Sequence, residues 1–179
     1  MNTTLPPADL PAYASGIRVL HWLIALLVLI VLPVGIVIKF VKDDASSTFY
    51  LIHESFGFLI LWVMLARLAC RLIWPPPPAP WLSPFERGLS KTVHWLLYAA
   101  LIAQPVLGFL MTNAYGFPLE WFGLVTIPSP LGKDPDLAPA LAQAHVLLGW
   151  AILVLFLLHM AGVVHHHLLR RDPTLYRIL

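Results

Sequence analysis

Four apolar runs decide what this chain can fold into. Residues about 17–40, 51–73, 91–113 and 140–168 are each long and apolar enough to cross a membrane as a helix. The hydrocarbon core of a bilayer takes about 20 helical residues. No water reaches that core, so backbone N–H and C=O groups must pair within the chain, which a helix does locally. Composition points the same way. Hydrophobic residues make up 59% of the chain and charged residues 11%, with a mean hydropathy of +0.81. Soluble domains hold about 45–50% and 25%. The chain therefore reads as an all-α, integral-membrane four-helix bundle, one domain over residues 1–179 with the lipid bilayer as its solvent.

The breaks between the runs are legible. Lys39, Lys42, Asp43, Asp44 and Ser46 interrupt the first pair, and Trp74-Pro75-Pro76-Pro77-Pro78-Ala79-Pro80 ends the second helix. Proline has no N–H to donate and restricts the residue before it. The third connection, roughly 114–139, carries Gly116, Pro118, Pro128, Pro130, Gly132, Pro135 and Pro139. It is long enough for a short surface helix, but no position for one stands out. Ser83-Pro84-Phe85-Glu86 is a capping box with proline at the first helical position, so the third helix is expected to start near residue 84. Pro33 and Pro105 lie inside helices and should kink them.

Four spans put both termini on one side. That side holds Arg18, Arg67, Arg71, Arg87, Lys91, Arg170, Arg171 and Arg177; the other holds Lys39, Lys42 and Lys133. The positive-inside rule then places the termini in the cytoplasm. The first seventeen residues are polar and contain proline, with no basic stretch leading into a short apolar one, so no cleavable signal is expected. A formal net charge of +2 gives no reason to expect a nucleic-acid partner. The lone cysteine, Cys70, excludes an intrachain disulfide and a cysteine-only metal site.

Histidine carries the chemistry. Ionisable side chains are costly within spans and usually mark function there. Five of the eight histidines lie in spans: His21, His53, His94, His145 and His159. His53 and His145 open helices 2 and 4 near the outer face. His21 and His159 lie near the inner face, with His94 as a spare at that level. His159 follows His145 by 14 residues, about 21 Å along a helix and close to four whole turns, so the two share one face at two depths. Two imidazoles at each level are what two six-coordinate haem irons need, each using four porphyrin nitrogens and two axial ligands. Gly57 and Gly149 each follow an outer histidine by four residues, on the same face, and would leave room for a flat macrocycle. The alternative for both is close helix packing in lipid. Arg18, Arg67 and Arg71 lie at the inner level, where they could pair with haem propionates or simply anchor the inner face. His165, His166 and His167 sit where the last helix leaves the membrane and read as a polar cap.

With these residues in place the chain resembles the bacterial cytochrome b561 family. Arg18-Val19-Leu20-His21-Trp22 is similar to that family's opening motif. The His-x-x-x-Gly of helix 2, the Arg67 and Arg71 pair before a proline-rich loop, and His94-Trp95 resemble it too. So does a fourth helix with two histidines 14 apart and a histidine cluster after them. The resemblance covers roughly 15–179. It implies two haem b groups in a bacterial inner-membrane protein, with His21, His53, His145 and His159 as axial ligands. It also implies electron transfer between the periplasmic side and the quinone pool, with superoxide as a donor and ubiquinone as acceptor in one known activity. The triplet His165–His167 is one histidine longer than the doublet the family leads one to expect.

Two function classes follow. In the first the chain is a stand-alone oxidoreductase, with Lys39 and Lys42 beside the outer pair able to draw in a small anion. In the second it is the haem-bearing membrane anchor of a dehydrogenase or hydrogenase partner, with the 114–139 loop as the segment large enough to seat one. A homodimer is compatible with either, and a haem-free channel would show no visible absorption.

Overall fold

The computed structural model describes residues 12–41 and 45–179. Four long helices carry the fold: α1 (Ser15–Val37), α2 (Ala45–Ile73), α3 (Pro84–Tyr115) and α4 (Leu137–Val164). Each is long and apolar enough to cross a membrane. α1 packs on α2, α2 on α3 and α3 on α4, so sequence neighbours are spatial neighbours. Short connections favour this for the first two pairs; α3 and α4 pack together across the longer 116–136 connection.

Helix ends follow local chemistry. α3 starts at Pro84, as its capping box requires: Glu86 N–H donates to Ser83 Oγ (3.3 Å) and Ser83 N–H to Glu86 Oε2 (2.8 Å). It ends on Gly116 at φ +92°, a left-handed conformation that glycine adopts without a Cβ clash. α1 and α3 stay helical through Pro33 and Pro105. α2 begins ahead of its apolar run and takes in Ser46, which the sequence placed in the break. Polar first turns can lie among lipid headgroups, so the apolar run marks the span and not the helix. Lys42, Asp43 and Asp44 lie outside the described residues. α4 passes into a π-helical turn at His165–Leu169, followed by a 3₁₀ turn at Leu175–Arg177.

The apolar core lies midway down the bundle. Ile24, Leu27 and Val28 of α1, Ile60, Val63 and Met64 of α2, and Tyr98 of α3 are packed there. Leu26, Leu29, Leu147, Val154 and Leu157 are each more than half exposed, the outward faces that lipid would cover.

Both ends of the bundle are tied down. The 114–139 connection holds no helix. It forms an antiparallel hairpin of β1 (Leu119–Trp121) and β2 (Val125–Ile127), with Leu119 opposite Ile127 and Trp121 opposite Val125. Phe122 and Gly123 turn the chain at φ +53° and +67°. The hairpin docks on α2: Trp121 Nε1 donates to the Ser55 carbonyl (3.2 Å) and Phe122 N–H to Ser55 Oγ (2.8 Å). Phe122 also packs edge-on against Phe56 at 5.3 Å. At the opposite end the C-terminal segment meets the N-terminal one. Tyr13 N–H donates to the Arg177 carbonyl (3.0 Å) and Trp22 Nε1 to that of Ile178 (2.9 Å). Arg177 is 4% exposed, stacked between Tyr13 and Trp81 and donating to the Pro77 carbonyl. A cation is tolerated there because aromatic faces and carbonyl oxygens surround it.

Candidate functional site

The five span histidines fall at two levels. Toward the hairpin end, His53 of α2 faces His145 of α4 with ring centres 6.1 Å apart. Toward the termini, His21 of α1 faces His159 of α4 at 6.2 Å. A ligating imidazole nitrogen lies about 2 Å from its metal, and the ring centre about 1.1 Å further, so two rings on opposite sides of one iron have centres about 6.3 Å apart. Both pairs fit that span. His94 of α3 lies 5.3 Å from His159, too close for the same arrangement.

At the outer level each ring is held by the backbone of a neighbouring helix. His53 Nδ1–H donates to the Val31 carbonyl of α1 (3.0 Å), and His145 Nδ1–H to the Gln104 carbonyl of α3 (3.2 Å). Each carbonyl has a second lone pair to give, beyond its helical hydrogen bond. A bond at Nδ1 fixes the tautomer that puts the free lone pair on Nε2, the usual second contact of a metal-ligating histidine; at His145 that lone pair meets the Gln104 amide Nε2 at 3.3 Å. One turn beyond each carbonyl stands a glycine. A Cβ at Gly35 would lie 2.5 Å from His53 Cε1, and one at Gly108 would lie 2.9 Å from His145 Cε1. Only glycine lets the rings come this close to α1 and α3. Sequence reasoning misses these two residues, each of which stands two or three places after the helix proline, Pro33 or Pro105. Gly57 has only Val31 Cγ1 within reach of a Cβ, at 4.0 Å, and Gly149 meets the Gln104 amide at 3.3 Å.

The inner level is built from side chains. Arg67 Nη1 donates to His21 Nδ1 (2.7 Å) and Nε to the Tyr98 hydroxyl (2.9 Å). Arg71 stacks over Trp95 (5.5 Å) and Tyr98 (5.4 Å). His94 Nδ1–H donates to the Ser90 carbonyl of its own helix (2.7 Å). In this arrangement His21 Nδ1 is an acceptor, so the ring proton is on Nε2. Iron at Nε2 would need Arg67 to release Nδ1. The spacing fits at both levels; the tautomer fits at the outer one, where iron at His145 Nε2 would take the lone pair that the Gln104 amide meets at 3.3 Å.

The remaining candidates lie toward the ends of the helices. Arg18 is in the first turn of α1, and Lys39 is exposed past its end. The terminal histidines have neighbours of their own. His165 lies 3.6 Å from Glu86, His166 Nδ1 is 2.7 Å from Asp172 Oδ2, and His167 packs on Tyr176. Arg170 closes the cluster by pairing with Glu86.

Comparison with known proteins gives a consistent result. The family model described as prokaryotic cytochrome b561 matches residues 12–179. Cytochrome b561 homolog 2 of Escherichia coli (strain K12) is 33% identical over 165 residues, covering 89% of this chain and 86% of that protein. The probable superoxide oxidase CybB of Yersinia pestis is 32% identical over 161 residues, 89% and 91% of the two chains. Cytochrome b561 homolog 1 of Escherichia coli (strain K12) is 25% identical over 171 residues, 89% and 92%.

Proposed function

The chain belongs to the prokaryotic cytochrome b561 family, whose members bind b-type haem and transfer electrons in membranes, and on that premise we propose that it is a two-haem oxidoreductase of the bacterial inner membrane. It passes electrons from a one-electron donor at the periplasmic face to the quinone pool. Superoxide is the proposed donor and ubiquinone the acceptor. Two superoxide anions give up one electron each and leave as dioxygen, while one ubiquinone takes both electrons and two protons to become ubiquinol. The observation that carries this reading is the pair of imidazole pairs on a shared α4, at 6.1 and 6.2 Å. The similarity to a probable superoxide oxidase supports the choice of donor.

Haem b supplies a carrier that takes and releases one electron without a bond to the substrate. The chain's own residues do the rest. His53 and His145 would hold the outer haem through Nε2, because the Val31 and Gln104 carbonyls take their Nδ1–H. Gly57, one turn past His53, has only Val31 Cγ1 within 4.0 Å of where a Cβ would stand, and would leave room for a flat group. His21 and His159 take the inner level. Arg67 and Arg71 place two positive charges beside that pair, suited to offset propionates. The β1–β2 hairpin docks on α2 at Ser55, two residues past His53, and buries that serine. Lys39 is exposed just past the end of α1 and would favour the approach of a small anion. The excess of Arg and Lys on the terminal side supports a cytoplasmic position for both termini.

The full chain purified in detergent tests this. It is expected to show reduced b-type bands, two haems per chain, haem reduction by superoxide and reoxidation by added ubiquinone. A featureless visible spectrum would remove the haem assignment. Haem that superoxide does not reduce, in a protein that purifies with an iron–sulfur subunit, would make the chain a membrane anchor instead.

A further inference from the structure

The two outer histidines are held alike in all but one respect. His53 and His145 each donate Nδ1–H to a carbonyl on the preceding helix, one turn before a glycine. At the His53 side the residue supplying that carbonyl is Val31, and its side chain is apolar. At the His145 side it is Gln104, and its amide turns back onto the same histidine. Gln104 Nε2 donates to the His145 main-chain carbonyl (3.0 Å) and lies 3.3 Å from His145 Nε2. Gln104 and His145 thus exchange hydrogen bonds in both directions between α3 and α4. The amide orientation is determined: swapping its ends would set Oε1 against the His145 carbonyl, acceptor against acceptor.

Fixing the tautomer does not need this amide, since Val31 serves His53 without one. Nor does it come free. Gln104 Oε1 is buried with no hydrogen-bond partner among the described residues, a cost that a leucine would avoid. What the amide adds is a second anchor on His145 and the positive end of an N–H dipole beside the nitrogen that faces the outer site. An electropositive group there favours the reduced state of a bound iron, because the ferric state carries one more positive charge.

We infer that Gln104 is a positioning residue for His145, holding the imidazole between α3 and α4 and raising the reduction potential of the haem that His145 would ligate. This rests on the reading of His145 as an axial ligand. The Gln104 amide makes the two outer ligands unequal: one is held by backbone alone, the other by backbone and a side-chain dipole.

The test uses the full haem-loaded chain in detergent, with Gln104→Met to keep bulk and remove the amide. The expected result is two haems per chain, a shifted low-spin ferric signal for one of them, and a lower potential for that haem. The expected change is about a tenfold fall in its reduced-to-oxidised ratio at fixed ambient potential, or 59 mV for one electron. Gln104→Glu keeps the shape and adds a charge. Its outer-haem potential should fall further as the carboxyl ionises, giving a pH dependence the parent lacks. If Gln104→Met fails to hold haem, Gln104→Glu decides on the same two readouts. Unchanged signal and potential in the variant that holds haem would overturn the inference. His145→Ala separates the two layers: if it keeps both haems, the ligand reading fails, whatever Gln104 does.

Discussion

The outer and inner histidine pairs have almost the same ring separation and are held there by different means. Outer rings lean on main chain, with Val31 and Gln104 carbonyls as acceptors and Gly35 and Gly108 as the surfaces they lie against. Inner rings sit among charged and aromatic side chains, with Arg67 on His21 and a third histidine beside His159. Backbone does not change rotamer, so the outer site is set as soon as the helices pack. Side chains can exchange partners, so the inner site can rearrange when its group binds. The outer site should therefore fail sharply when its helix surfaces change, while the inner one should be tuned by its neighbours.

The largest effect expected is loss of a whole haem. His53→Ala and His21→Ala should each lower the haem-to-protein ratio from two to one, with different bands surviving in the spectrum. His94→Ala should leave the ratio at two. If it falls to one, His94 and not His21 is the partner of His159, and the inner geometry has to be redrawn.

Next come the glycines. Gly35→Ala puts a methyl 2.5 Å from His53 Cε1, and Gly108→Ala puts one 2.9 Å from His145 Cε1. The histidine ring or the helix would have to move, so outer-haem occupancy should fall, more for Gly35 than for Gly108, while the inner haem stays. Equal loss of both haems would break the distinction between levels. Gly57→Ala meets only Val31 at 4.0 Å and should be far milder unless a macrocycle occupies that face.

Arg67→Leu sharpens the comparison further. It removes a positive charge from the inner level alone, so the inner potential should drop with the outer one unchanged in a redox titration. An unmoved inner potential would mean that Arg67 turns away from the site when it is filled.

The smallest effect lies outside the membrane. Burial pushes the Asp172 carboxyl up, but hydrogen bonds from Thr174 and His166 outweigh that and hold it below its ordinary 3.8. Its folded value is depressed, so its contribution is present above about pH 3.8 and is lost as pH falls through the folded value. Asp172→Asn should cost less than about 1 kcal/mol, read as a small fall in Tm at pH 6 that shrinks as the pH drops below 3.8. Haem content should not change at either level.

Much of this architecture is legible in the sequence. Helix lengths follow from bilayer thickness, the start of α3 from the Ser83–Glu86 box, and the shared face of His145 and His159 from 14 residues at 3.6 per turn. All of these are properties of one segment read alone. The hairpin is not legible, because three-residue strands have no periodicity to detect and this one is fixed by docking on Ser55. Gly35, Gly108 and Gln104 are not legible either, since nothing on their own helices gives them a task. The sequence points to the glycines after the histidines; the ones that touch the rings stand on the helices opposite.

By itself, then, the sequence determined that this is a four-span membrane helix bundle with imidazoles at two depths. Those properties come from hydrophobicity and helical repeat, which act along the chain. Tertiary structure alone decided which carbonyl takes each Nδ1–H, which glycine receives each ring, and that Arg67 and not a main-chain group meets His21. These depend on how α1 is rotated against α2 and α3 against α4. That rotation is set by side-chain packing across the interface, which neither helix specifies alone.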